Sequence, residues 1–322
     1  MNSGKMFFLD INKKKFGLVI FVTIFILITT IRSIDACTIF TASYGGTVLF
    51  GNNEDWSNPN TFIWFELPKD DQYGGVYLGF DDFFPQGGMN EKGLCFDANA
   101  LPEMPLNPHP ELPYSVGWVV KYLMENCSKV TEVIDLASKF NWGKSMAYQT
   151  HFADATGDAV VISAGTDGEL NFTRKIEGNG YLVSTNFNLA NPDNGWLPCW
   201  RYNTATEMLD DINHEDNLTV ESFRNILKAV HQGGTYATKY SNIFDLKNQD
   251  IYIYKNFNFD EVVVLNLAEE FSKKNERYIS LDDLFSQRLK STKTSETTSE
   301  MSLFFVIVTL VILYNTKKVF RK

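Results

Sequence analysis

The pattern of apolar and polar positions divides the chain into a body and two different ends. In the body, short apolar runs alternate with turn signals. Thr38 to Ser43 reads as a strand, Tyr44-Gly45-Gly46 as a turn and Thr47 to Phe50 as the return of a hairpin. A second hairpin is expected from Thr150–Ala155 through Thr156-Gly157-Asp158 to Ala159–Ser163. Further strands are expected at Leu170–Arg174, Tyr181–Ser184, Ile251–Tyr254 and Glu261–Leu267. Apolar residues recur at helical spacing over Val116–Glu125, Thr131–Phe140, Tyr202–Asp211 and Val220–Val230. Strands interleaved with pairs of helices predict an α+β domain whose sheets are covered by helices. One domain spanning residues 37–290 accounts for this stretch, which contains no internal repeat.

The ends follow other patterns. Lys13, Lys14 and Lys15 precede an apolar run from Phe16 to Ile31, and a short polar stretch then ends at Ala36. That order predicts a secretory signal over residues 1–36, removed after Ala36. An uncleaved signal anchor is the alternative, because Ile34 is bulkier than the small residue preferred there. Residues 291–300 are Ser/Thr-rich and read as a solvated stalk. Residues 301–314 are mostly apolar, and residues 315–322 carry Lys317, Lys318, Arg321 and Lys322. Positive charge behind an apolar stretch predicts a membrane anchor with a cytoplasmic tail; a packed terminal helix is the alternative. Glycosylation sequons start at Asn126, Asn171 and Asn217. Together these place the body in a lumen, extracellular or endolysosomal, where Cys127 and Cys199 are candidates to pair.

Composition narrows the function. The chain has 322 residues, 44% of them hydrophobic, enough for a substantial core. A net charge of −10 argues against nucleic-acid binding through the phosphate backbone. Four Cys and four His, scattered, fit neither a disulfide scaffold nor a paired-ligand metal site. Gly-rich phosphate loops are absent, so no cofactor is implied.

Candidate chemistry converges on Cys37. Cleavage after Ala36 makes it the first residue, with a thiol nucleophile beside a free α-amine. Such an amine has a pKa of about 7.7–8.0, suited to taking and returning a proton near neutral pH. Asp55 lies just past the return strand of the first hairpin, which brings it near Cys37 and able to orient it. Glu54 is its neighbour; adjacent strand residues face opposite ways, so Glu54 is read as outward. His151 reads as structural and His231 as a helix cap. The aromatics Trp56, Phe62, Trp64, Phe65, Phe83 and Phe84 read mostly as core, with some available to line an acyl pocket.

Three segments together carry a family resemblance: Cys37-Thr38-Ile39-Phe40, Gly51-Asn52-Asn53-Glu54-Asp55-Trp56 and Gly88-Met89-Asn90-Glu91-Lys92-Gly93-Leu94. Ser184-Thr185-Asn186-Phe187 and Tyr236-Ala237-Thr238-Lys239-Tyr240-Ser241 add to it in the same order. The chain resembles the choloylglycine hydrolases and penicillin V acylases, and more distantly the isopenicillin-type acyltransferases. The resemblance implies an N-terminal-nucleophile αββα sandwich, with two antiparallel sheets between helix layers. It implies Cys37 as nucleophile, Asp55 as the orienting carboxylate and Asn186 as an oxyanion donor. It also places Asn99 near a second pocket position. At two positions where the family has Arg, this chain has Asn52 and Lys239. Loss of a cation near the thiol raises its pKa, and Lys lacks the planar fork of Arg. Arg201 is a candidate to replace that charge. The implied activity is hydrolysis of a linear amide of a small N-acyl compound through a thioester. A related dipeptidase, an acyltransferase and a non-enzymatic anchored binding protein are the alternatives.

Overall fold

Alternating apolar residues make the first hairpin the centre of the molecule. In the computed structural model, which describes residues 37–113, 118–176, 180–195 and 199–288, β1 (Thr38–Tyr44) pairs antiparallel with β2 (Thr47–Asp55). Gly45, at φ +55°, makes the turn between them, a conformation that favours glycine. Ile39, Val48 and Phe50 point to one side, and Phe40 and Leu49 to the other. Both sides are covered, so β2 is buried along almost its whole length.

Two sheets form around this hairpin. The first has the order β10 (Tyr181–Ser184), β1, β2, β13 (Thr238–Asp245), β14 (Asp250–Lys255), β15 (Asn258–Asn266). The second begins with β16 (Arg277–Ser280), β3 (Thr61–Glu66), β4 (Gly75–Phe80) and β5 (Pro85–Asn90). It continues with β6 (Cys95–Pro105), β7 (Ser145–Ala153), β8 (Ala159–Ala164) and β9 (Leu170–Arg174). All pairings are antiparallel. A short ribbon of β11 (Phe187–Asn188) and β12 (Asn191–Gly195) stands apart.

Ile39, Phe50, Ile63, Leu78, Met89, Tyr240 and Phe244 fill the space between the sheets. Helices α1 (Val119–Asn126) and α2 (Val130–Ala137) cover the second sheet, burying Val120, Leu123 and Val133 against Trp64, Phe96 and Phe152. The Glu132 carboxylate accepts from the backbone N–H groups of Ser128 and Lys129, which satisfies donors otherwise orphaned at the start of α2. Helices α3 (Trp200–Asp210) and α4 (Val220–Ala229) cover the first sheet; Phe223, Ile226 and Leu227 pack on Phe40, Leu49 and Ile243. Thr219 and Ser222 cap α4 reciprocally. The short α5 (Leu267–Ser272) follows β15. Helix, sheet, sheet, helix is the αββα order expected.

Between the sheets His151 is a strut. Its ring nitrogens lie 3.0 Å from Thr41 Oγ1 on β1 and 3.0 Å from Ser184 Oγ on β10. Burial pushes its pKa down to about 3, so the ring is neutral.

The expected helices begin and end within a few residues of those found, although residues 116 and 117 fall outside the described residues. Strands β3 to β6, β13 and β16 were not expected. Their apolar runs do not alternate cleanly because both sheet faces are covered. Cys127 and Cys199, the candidates to pair, do not do so: all four cysteines are free and buried. Cys127 lies in the α1–α2 layer and Cys199 opens α3 in the opposite layer, with both sheets between them. The expected signal, stalk, anchor and tail lie outside the described residues. Among the described residues no helix is long and apolar enough to cross a membrane.

Candidate active site

The hairpin register sets the site. Thr38 pairs with Asn53, so one step earlier Cys37 meets Glu54. The Cys37 thiol donates to Glu54 Oε1 at 3.6 Å. Side-chain alternation along β2 puts Asn52 and Glu54 on the face between the sheets. It sends Asn53 and Asp55 toward the helix layer, where the Asn53 amide donates to Leu227 O of α4. Glu54 does face away from Asp55, but that side is the interior and not solvent: Glu54 is 3% exposed. The outward reading of Glu54 is thereby corrected.

Asp55 is the last residue of β2, and three elements converge on it. Thr238 Oγ1 of β13 donates to Oδ1 at 2.5 Å, and Gln232 Nε2 donates to Oδ2 at 2.9 Å. Arg201 of α3 stands 3.8 Å from Oδ2. Burial pushes the Asp55 carboxyl up to about 7, against the opposing pull of Thr238, Arg201, Gln232 and Lys239. The ladder between β2 and β13 passes from Asp55–Thr238 to Glu54–Tyr240, so Lys239 is the extra residue of a bulge. It is half-buried there, and its charge reaches Asp55.

Arg201 organises the start of β1. Its Nη1 donates to the Cys37 carbonyl at 2.9 Å and to Thr38 Oγ1 at 3.1 Å, and its Nη2 donates to Asn186 Oδ1 at 3.2 Å. Asn99 Nδ2 of β6 donates to the same Cys37 carbonyl at 3.3 Å. The Asn186 amide donates to Ala100 O at 2.9 Å. Asn52 Nδ2 donates to Glu54 Oε2 at 3.4 Å. The structure thus brings Cys37, Asn52, Asp55, Asn99, Asn186 and Lys239 into one neighbourhood.

The electrostatics of the inner face are acidic. Burial first, then the charges of Glu54, Asp55 and Asp97, push the Cys37 thiol well above its usual range. Burial and Asp55 push Glu54 up to about 8. Asp97 of β6 is raised well above the carboxylate range by burial and by Glu54. An amine freed at Cys37 would place a cation among these acids. Among the described residues no His/Cys/Asp/Glu cluster is built to hold a metal ion.

Other residues lie elsewhere. Asn126, Asn171 and Asn217 are exposed, as glycosylation requires. His231 Nδ1 is 2.6 Å from the Lys228 carbonyl, the capping role expected. The Gly88–Leu94 motif is structural. Asn90 donates to the Met124 and Cys127 carbonyls at the end of α1, and it accepts from the N–H groups of Lys92 and Leu94.

Sequence reasoning named Arg201 only as a possible replacement charge and missed Asp97, Gln232 and the inward Glu54. Strand parity, read with both faces covered, would have found Glu54. Nothing local marks Arg201, which reaches the site from a helix 164 residues after Cys37.

Comparison with known proteins bears on the family and the fold. A family model described as acyl-coenzyme A:6-aminopenicillanic acid acyl-transferase matches residues 45–245. No curated protein matches the chain. Among solved structures, penicillin V acylase from Agrobacterium tumefaciens is similar at TM-score 0.60 and 16% identity, over 76% of this chain and 91% of that one. A Cys-to-Ala mutant of the conjugated bile acid hydrolase from Clostridium perfringens is similar at TM-score 0.59 and 18% identity, over 75% and 96%. An Arg-to-Leu variant of the same hydrolase gives TM-score 0.59 and 19% identity, over 76% and 96%. At these identities the structures share the fold.

Proposed function

The chain belongs to the acyl-coenzyme A:6-aminopenicillanic acid acyl-transferase family, and from that premise we propose that it hydrolyses linear amide C–N bonds of small N-acyl compounds with Cys37 as an N-terminal nucleophile. The observation that carries this reading is the placement of Cys37. It immediately precedes β1, its carbonyl is held by Arg201 and Asn99, its thiol touches a buried acid, and Asp55 stands beside it with four polar neighbours.

In the proposed reaction the α-amine of Cys37 takes the thiol proton, directly or through water, and the sulfur attacks the amide carbonyl. The carbonyl electron pair moves to oxygen, and the Asn186 amide together with a backbone N–H is the proposed donor set for that oxyanion. The α-ammonium gives its proton to the leaving nitrogen as the C–N bond breaks. The remaining thioester is resolved by water, which releases the acid and restores the thiol. Asp55 orients the amine, and Lys239 and Arg201 supply positive charge on that side.

A second reading, acyl transfer to an amine in place of water, is favoured by the description of the matched family. The body is proposed to face a lumen, reached through the leader over residues 1–36 and held by the anchor over residues 301–314. Exposure of Asn126, Asn171 and Asn217 supports this.

The test starts with the N-terminal peptide of the natural protein, read by mass spectrometry, followed by a screen of N-acyl amides and dipeptides. A start at Cys37 with amide cleavage that is lost in Cys37→Ala is expected. A start upstream of Cys37, dipeptide cleavage alone, or an unchanged Cys37→Ala variant would overturn the proposal.

A further inference from the structure

The nucleophile touches an acid that the reaction above leaves unused. Glu54 Oε1 accepts from Cys37 Sγ, while Asn52 Nδ2 holds Oε2 and so keeps the other oxygen turned to sulfur. Asn52 supplies a neutral amide at this point. A cation there would tie the carboxylate into an ion pair; an amide leaves it able to gain a proton. The groups facing Glu54 come from four strands: Cys37 before β1, Asn52 on β2, Asp97 on β6 and Tyr240 on β13; Asp55 points the other way, and only its charge reaches Glu54. Burial and the charge of Glu54 both raise the Asp97 carboxyl well above the usual carboxylate range. Asn52 Oδ1, Asp97 Oδ2, Asn99 Oδ1 and Tyr240 Oη are buried without a protein partner. The interior around Glu54 is therefore a polar island, which core packing by itself does not call for.

We propose that Glu54, in place of the α-amine, is the base that takes the proton of the Cys37 thiol, the amine starting the cycle as the ammonium that protonates the departing nitrogen. This rests on the reading of Cys37 as an N-terminal nucleophile. The Sγ–H bond breaks, an Oε1–H bond forms, and the bonding pair stays on sulfur for attack. The ammonium gives its proton to the leaving amine as the C–N bond breaks. Glu54 then returns its proton to the α-amine, and hydrolysis of the thioester restores the thiol. No proton is gained or lost over the cycle beyond those of substrate and water. Burial supports the assignment, because it opposes ionisation of Glu54 and so brings its carboxyl closer to a thiol than an ordinary carboxylate.

The experiment exploits a difference in sign. As a buried negative charge alone, Glu54 opposes thiolate formation, so Glu54→Gln would make Cys37 more reactive. As a proton acceptor it promotes thiolate formation, so the same variant makes Cys37 less reactive. Iodoacetamide labelling of Cys37 in the processed protein, quantified on its peptide by mass spectrometry across pH, separates the two without any substrate. In the natural protein the rate is expected to climb through the Glu54 ionisation. In Glu54→Gln it is expected to fall about tenfold near neutral pH and to rise only with the thiol itself. For a cleaved amide, kcat/KM falls on the order of 100-fold. Labelling that is equal or faster in Glu54→Gln overturns the proposal. Should that variant not fold, Glu54→Asp decides. It keeps the charge but withdraws the carboxylate by one methylene, so a proton acceptor loses rate and a mere charge does not. If no amide is cleaved by the natural protein and labelling still slows in Glu54→Gln, the hydrolase reading fails and the role of Glu54 stands.

Discussion

Arg201 is 5% exposed, and its guanidinium spans the Cys37 carbonyl, Thr38 Oγ1 and Asn186 Oδ1 within hydrogen-bond distance. A lysine has one nitrogen and cannot reach these acceptors in a plane. Arg201→Lys is therefore expected to fold but to lose the link to Asn186, read as a fall in kcat with the protein still cooperative in urea. Arg201→Ala leaves the buried Asp55 without its nearest guanidinium and is expected to cost about 3–5 kcal/mol in urea denaturation. Sequence reading reached Cys37, Asp55 and Asn186 because their neighbours along the chain are distinctive. It did not reach the roles of Arg201, Gln232 or Asp97, whose neighbours are residues distant in sequence.

At the scale of elements, two strand ends support the site. Thr238 closes the β13 end of the ladder with its hydroxyl on Asp55 Oδ1. Thr238→Val keeps the shape and removes that donor. The Asp55 carboxyl is then expected to titrate above about 7, moving the low-pH limb of the activity profile upward. The loss of stability is expected to be about 1–3 kcal/mol. Gly93, in the turn between β5 and β6, has φ +77°, and a Cβ there would lie 2.3 Å from the Leu246 carbonyl oxygen. That oxygen is backbone just past β13, so it cannot swing aside. Gly93→Ala is expected to lower stability by about 1–3 kcal/mol, read as a drop in Tm with kcat retained in the folded fraction. The Gly88–Leu94 motif thus resembles its family for reasons of folding: it joins the second sheet to α1 and to the first sheet.

At the scale of the molecule, the buried acids set how stability depends on pH. Asp55 and Glu54 have folded pKa values of about 7 and 8, above those of unfolded carboxylates near 4. The folded state therefore binds more protons between about pH 4 and 8, and stability falls as pH rises through that window. Asp97 acts in the same direction. His151 acts oppositely. The unfolded imidazole gains a proton below about 6.5, while the buried ring stays neutral down to about 3, so stability is lost as pH falls through that range. With several acids against one imidazole, the urea midpoint of the chain is expected to be higher at pH 5.5 than at pH 8. Glu54→Gln is expected to flatten that slope by about 1.4 kcal/mol per pH unit, one proton's worth. A midpoint that rises with pH would show that these carboxyls are ionised in the folded state.

The sequence by itself determined the hairpin, the helices, the αββα class, and the identity of the nucleophile candidate and its aspartate. The hairpin and helices rest on local spacing, in turn glycines and helical periodicity, and the αββα class on the family resemblance that motifs contiguous along the chain carry. Tertiary structure decided the rest. Whether a strand's second face meets water or a helix layer cannot be read from its own residues, and that is why β3 to β6 and the inward Glu54 escaped notice. Whether two cysteines can meet depends on the layers they occupy, which left Cys127 and Cys199 on opposite sides of the sandwich. Arg201 joined the site because a helix from the second half of the chain lies across the start of β1. Such convergence is a property of packing, and no spacing along the chain encodes it.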